Sequence, residues 1–245
     1  MKLALGNSLA TQRIGGAAAW SPLALSPLIW LDATQLGLAN NDPVAEFTDL
    51  SGNGNHFVQA ATPNKPTFKT SGINGLASVE GDGVDDTMTL AGVGSQAAWS
   101  AFIVLKQTAV STAEECYWCI ADITTALYKV IQKAAGVDGG AGISVAFNPA
   151  VGFSFASYTA GTTRAMLVTA SASATRGLDN TGDGGSSASN NSRGDEQMRI
   201  FSRNDGLNAP LQIGELVYTD HVLTSEEETA LWAYSAAKWG HDDPS

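Results

Sequence analysis

The chain has 245 residues, 44% of them hydrophobic, and a formal net charge of -11, which is enough apolar material to bury one large β core or two smaller ones. Its 13 Lys and Arg form no cluster against 24 Asp and Glu, which excludes a surface built to neutralise nucleic-acid phosphates. Two cysteines make no disulfide framework, and the apolar stretch Ala19–Leu31 is broken by Pro22 and Pro27, so it is no membrane span.

From the start, Met1–Ala19 is an arm of small residues with Gly15-Gly16 and no periodicity. Its only apolar run, Leu3–Leu5, is too short for a signal peptide, so synthesis and folding in a cytoplasm are expected. Alone the arm cannot bury enough surface to offset its ordering entropy. It is expected to fasten to a partner through Leu3, Leu5, Leu9, Arg13, Ile14 and Trp20, which sets residues 1–20 apart from a domain over 21–245.

Strand signals begin at Leu28–Asp32 and continue through Val44–Thr48, His56–Gln59, Pro66–Lys69, Ala77–Glu80, Met88–Leu90 and Trp99–Lys106. They resume at Tyr117–Ile123, Leu127–Gln132, Ile143–Phe147, Val151–Ser157, Arg164–Ala170 and Gln197–Ser202. Val151, Phe153 and Phe155 alternate with small residues in a period of two. Phe102–Leu105 is apolar on both faces, which predicts a central strand covered on both sides. Gly182–Asn191 reads as a flexible loop. A closing strand over Leu211–Tyr218 leads to a helix opening at Thr224 or Ser225, each of which starts an S/T-x-x-E capping box. Leu231, Tyr234 and Lys238 form one stripe, predicted to pack across one end of the β domain, and Gly240 suits a left-handed C-cap. Many short strands with turns between them predict an all-β, two-sheet antiparallel sandwich with a short C-terminal helix and an extended N-terminal arm. The strand Ile213–Tyr218 is expected to pair with Leu28–Asp32.

The segments PLIWLDA (Pro27–Ala33), DLSGNGNHF (Asp49–Phe57), KPTF (Lys65–Phe68), GINGLASVEGDGVDD (Gly72–Asp86) and IGELVYTDHVLTSEEE…AAKWG (Ile213–Gly240) occur in a set order. That order resembles the laminin-G-like, concanavalin-A-like jelly-roll domains of bacteriophage and bacterial surface proteins. The opening MKLALGNSLATQRIGG is similar to the start of phage structural proteins carrying such a domain. The resemblance implies a jelly-roll sandwich with the chain ends close together, on a fold that hosts lectins, glycosidases, lyases and structural modules alike.

Glucanases of this architecture carry an E-x-D-x-x-E strand. Here Glu46 and Asp49 are three apart with no third carboxylate, Glu114-Glu115 diverge, and Glu215 stands alone. His56, His221 and His241 make no persuasive Ser-His-Asp order. The expectation is therefore a chain without enzymatic activity. Asp49 and Asn53 in one Gly-containing turn, with Asp82 and Asp85 in another, could supply calcium oxygens. Asx turns explain both without an ion, so no cofactor is required. Asp179–Gly184 starts like a calcium loop but has Asn190 at its twelfth position. Cys116 and Cys119 sit on a strand pattern and read as small buried residues rather than a redox pair. Arg193-Gly194-Asp195 spells an adhesion tripeptide that chance supplies readily. Of six tryptophans, Trp30, Trp99, Trp232 and Trp239 fall on core-like positions and Trp20 on an interface.

The function expected from the resemblance is a virion structural protein on the outside of a phage particle, as capsid decoration or a head or tail fibre component. Its partners would be other virion subunits, with a homo-oligomer also open, and neither nucleic acid nor membrane. The alternative is a lectin-like adhesin that binds host glycan through one end of the sandwich.

Overall fold

The computed structural model describes residues 20–244 apart from 95, 110–114, 123–126, 134–141, 148–149, 158, 183, 189–196 and 204–205. Its strands form two antiparallel sheets of eight. Sheet A runs β14 (Gly184–Ser187), β13 (Thr175–Asp179), β12 (Thr163–Ala170), β7 (Trp99–Gln107), β16 (Pro210–Thr219), β5 (Leu76–Asp82), β4 (Thr67–Ile73), with β1 (Ile29–Asp32) also on β16. Sheet B runs β11 (Ala150–Ser157), β10 (Gly142–Phe147), β9 (Leu127–Lys133), β8 (Glu115–Asp122), β15 (Gln197–Ile200), β6 (Met88–Ala91), β3 (Phe57–Val58), β2 (Glu46–Phe47). Helix α1 (Ser225–Trp239) closes the described chain. The architecture is the expected all-β sandwich.

Period-two alternation decides which side chains meet between the sheets. Trp99, Ala101, Ile103 and Leu105 of β7 and Met166, Val168 and Ala170 of β12 face Phe47, Phe57, Met88, Leu90, Met198 and Ile200 of sheet B in one buried cluster. The alternate residues of sheet A, Phe102, Val104, Ala165, Leu167 and Val217, form a second cluster with Leu231, Trp232 and Trp239 of α1. This second layer is why β7 is apolar on both faces. The helix therefore lies across the outer face of sheet A rather than across one end of the sandwich, as its stripe had suggested. Leu231, Trp232, Ser235 and Trp239 are its buried residues. Tyr234 flanks them, half-buried.

The helix begins where the capping chemistry places it. Thr224 Oγ1 accepts from Glu227 N at 3.3 Å and Glu227 Oε2 accepts from Thr224 N at 2.8 Å. It ends at Gly240, whose φ of 70° is left-handed. The pairing of β16 with β1 also follows the expectation, in the register Ile29↔Tyr218 to Asp32↔Glu215.

One sequence reading changes. The stretch read as a loop over Gly182–Asn191 contains β14, which pairs β13 through Leu178↔Gly184 and Thr175↔Ser187. Glycine makes that pairing possible, because a Cβ on Gly184 would stand 2.2 Å from Gly177 O. β13 itself gave no strand signal. The turn before β14 is not a calcium loop: Asp179 is fully buried and forms an ion pair with Arg164, while Asn180 Oδ1 accepts from Ala165 N at 2.9 Å. Cys116 and Cys119 are buried, as expected. The Arg193–Asp195 tripeptide lies outside the described residues.

Candidate functional site

A buried polar cluster forms where β1, β16 and α1 meet. Its origin is a bulge. The register between β16 and β7 shifts between Ile213 and Glu215, with Ile213 opposite Leu105 and Glu215 opposite Val104. Strict alternation would aim Glu215 between the sheets, alongside Ile213. The extra residue, Gly214, reverses that and turns Glu215 toward α1. Gly214 is also where one edge of β16 changes partner, from β5 over 210–213 to β1 over 215–218. A side chain there would clash, since a Cβ would lie 2.7 Å from the Trp239 ring.

Glu215 is completely buried. Its Oε1 accepts from Trp30 Nε1 at 2.8 Å and from Tyr234 Oη at 2.9 Å, and its Oε2 accepts from Trp239 Nε1 at 2.6 Å. Lys238 Nζ lies 3.2 Å from Glu215 Oε1 and donates to Asp32 Oδ2 at 2.7 Å and to Tyr234 Oη at 3.0 Å. Burial pushes the Glu215 carboxyl above its ordinary value; Lys238 and the two indole donors pull it back only in part. Burial, then the Glu215 charge, drive the Tyr234 phenol upward, so it stays a donor. Lys238 is thus committed to two hydrogen bonds and the ion pair with Glu215, and Asp32 Oδ1 is engaged by Thr34 N and Oγ1 at 3.0 and 2.7 Å. The cluster is a lock between helix and sheet, with no carboxylate open to a substrate. Ser235 Oγ lies 2.8 Å from His241 Nε2, but Ser235 is fully buried, so this contact offers no accessible nucleophile.

Above the lock runs a groove of about 650 Å³ lined by Trp20, Ala230, Ala233, Tyr234, Ala237 and Lys238. The Trp20 and Tyr234 rings pack with centroids 5.2 Å apart. Trp20, expected from the sequence to fasten the arm to a partner, packs here on the chain's own helix. The other arm residues, Leu3, Leu5, Leu9, Arg13 and Ile14, lie outside the described residues.

The two acidic turns are separate. Asp82, Asp85 and Asp86 bring carboxylate oxygens within 4.8 Å of one another. Asp82 Oδ1 accepts from Val84 N at 2.8 Å and Asp85 N at 3.3 Å, and Asp86 Oδ2 accepts from Asp82 N at 2.9 Å. Burial, with the neighbouring charges of Asp82, Asp85 and Glu80, raises the Asp86 carboxyl to about 6 despite the Asp82 amide. Asp49 is not in that group. Its Oδ1 accepts from Trp30 N and Ser51 N, and its Oδ2 from Ser51 Oγ and Asn55 N, at 2.7–3.0 Å. Burial pushes Asp49 up, but these donors outweigh it and hold the carboxyl below its ordinary value. Asn53 spends its amide on the Pro27 and Leu28 carbonyls at 3.0 and 3.3 Å. Asp49 and Asn53 thus hold a turn against β1, and Asp82 and Asp85 are the pair of acidic residues that the fold brings together.

Among the described residues, the outer face of sheet B at β2, β3, β6 and β15 is also open. Phe47, Phe57, Met88, Met198 and Ile200 point inward, so Glu46, Val58, Thr89, Gln197 and Arg199 point out. Glu46↔Val58, Val58↔Thr89 and Thr89↔Arg199 form one cross-strand row. Arg199 Nε donates to Gln197 Oε1 at 2.9 Å, leaving both terminal amino groups without a partner among the described residues. His56, beside Glu46, accepts the Asp49 amide hydrogen on Nδ1 at 2.9 Å.

No protein-family model and no curated protein matches the chain in sequence. Solved structures match it in fold. A Trypanosoma rangeli sialidase in complex with the inhibitor DANA superposes with TM-score 0.60 at 9% identity over 88% of this chain and 33% of its own. Domain 4 of a GH43 extracellular arabinanase from Geobacillus stearothermophilus, in complex with arabinotriose, gives 0.57 at 14% identity over 77% of this chain and 97% of that domain. A GH54 α-L-arabinofuranosidase soaked with 4-nitrophenyl α-L-arabinofuranoside gives 0.53 at 15% identity, over 82% and 57%. The chain spans about a third of the length of the sialidases it resembles. These likenesses establish the sandwich fold. They also overturn the expectation that the chain is not an enzyme. That expectation rested on a missing glucanase strand, whereas the fold recurs in sialidase, arabinanase and arabinofuranosidase chains. The absence of one family's carboxylate motif excludes no activity.

Proposed function

We propose that this chain is a glycan-binding β-sandwich domain whose ligand lies on the outer face of sheet B. The observation that carries this reading is the match to nearly the whole of an arabinanase domain that holds arabinotriose. The chemistry of the face agrees with it. The outer face of sheet A is closed by α1, whereas sheet B presents Thr89, Gln197 and the uncommitted end of Arg199, a planar donor suited to sugar hydroxyls. Titration calorimetry of the full chain with arabino-, xylo-, cello- and sialyl-oligosaccharides tests it. One of these should bind, and Arg199→Ala should weaken that binding about tenfold, the scale of one charge-assisted hydrogen bond. If none binds, the reading is wrong.

The assembly reading, a virion surface component fastened by its N-terminal arm, stands as a second proposal favoured by one contact. Trp20, at the end of the arm, is packed on Tyr234. Chains lacking residues 1–19 should fold and yet fail to join particles. Incorporation at the full-length level would sink it.

A further inference from the structure

The groove on α1 offers few free polar groups. Its walls are three alanines and two aromatic rings, and its one cation, Lys238, is already used by Asp32, Glu215 and Tyr234. Past Ala230 and Ala233 it continues along the helix to Thr229, Glu226 and Ser225. Short apolar side chains on a polypeptide fit such a floor, and the stretch that precedes Trp20 in the chain has that composition: Ile14-Gly15-Gly16-Ala17-Ala18-Ala19.

We propose that this groove is the seat of the chain's own residues 13–19. Trp20 lines the groove against Tyr234, so the preceding residues start at its edge. The helix from Ala237 back to Glu226 is ~16 Å long at its rise per residue. Seven residues reach up to ~23 Å, which brings Arg13 to the acidic first turn of α1. Two of the three glutamates there are engaged, Glu227 in the capping box and Glu228 with Arg176. Glu226, which is exposed and lines the far end of the groove, remains to take the Arg13 charge. Ala17–Ala19 then cover Ala230, Ala233 and Ala237, and only residues 1–12 are left to reach another molecule. This inference is independent of the ligand on sheet B.

Amide hydrogen exchange of the full chain, compared with a peptide of residues 1–20, is the test. Residues 13–19 should exchange at least tenfold more slowly in the full chain. Ala233→Trp, at an exposed helix position that fills the groove, should return them to the peptide rate. Glu226→Arg should weaken the protection several-fold, and adding Arg13→Glu should restore it; this pair serves if Ala233→Trp fails to fold. Peptide-like exchange in the unaltered chain, or protection indifferent to both helix substitutions, overturns the proposal. So does protection that disappears on dilution together with a dimer mass in light scattering, because the occupant is then a second copy's segment.

Discussion

Trp239 donates its indole N–H to Glu215 at 2.6 Å, and its ring lies on the backbone of Gly214. One glycine thereby does two things: it admits the ring, and its bulge turns the neighbouring carboxylate to meet the ring's donor. The C-terminal helix is thus held to sheet A by a specific bond network as well as by the apolar layer of Phe102, Leu231 and Trp232.

Lys238→Met should destabilise the fold by about 3–5 kcal/mol at neutral pH, because it leaves Glu215 and Asp32 facing each other without their cation. Urea titrations should show this loss shrinking as pH is lowered, since protonation of Glu215 removes the uncompensated charge. A loss under 1 kcal/mol, or one independent of pH, would remove the lock from the account.

Gly214→Ala should cost about 1–3 kcal/mol, the range for overpacking, because its Cβ would lie 2.7 Å from the Trp239 ring. Near-ultraviolet circular dichroism should register the displaced indole. Unchanged melting with an unchanged tryptophan signal would contradict the contact.

Asp86 carries a pH dependence of unusual sign. Its folded value of about 6 is above the ordinary 3.8, so between those values the folded state binds more protons than the unfolded one. Stability should therefore fall as pH rises from about 4 to about 6, the reverse of the usual carboxylate behaviour. Asp49, held below its ordinary value by four donors, should act oppositely and lose its contribution only as pH drops below the ordinary carboxylate range. Asp86→Asn should flatten the first of these slopes in melting curves over that window, and a slope surviving the substitution assigns it elsewhere.

Thr224→Ala should cost about 1 kcal/mol, the usual value for an N-cap, because it removes the acceptor of Glu227 N. The loss should appear as a lower urea midpoint with an unchanged slope. No loss would mean that the apolar docking of α1 alone sets its start.

Elements whose signals are local were legible before any coordinates. Alternation marked the strands, Thr224 and Glu227 marked the helix start, and Gly240 its end, because caps and pleats depend on neighbours one to four residues away. The pairing of the closing strand with Leu28–Asp32 was legible too. β13 and β14 were not, since Thr175–Asp179 mixes a buried ion-pair partner with glycine, and Gly184–Ser187 has little side chain to form a pattern. The acidic turns showed as Asx turns, but nothing in the spacing told that Asp82 and Asp85 would gather with Asp86 while Asp49 and Asn53 would hold β1.

The amino-acid sequence by itself determined the class of this protein: an acidic, strand-rich chain with a capped terminal helix, folded as a two-sheet sandwich. Only the tertiary structure decided what Glu215 does. Read along the chain it stands alone. The bulge at Gly214 sets which face it occupies, and its partners come from positions 30, 234, 238 and 239. A side chain's face depends on the register of the whole sheet, and a one-residue shift in that register reverses it.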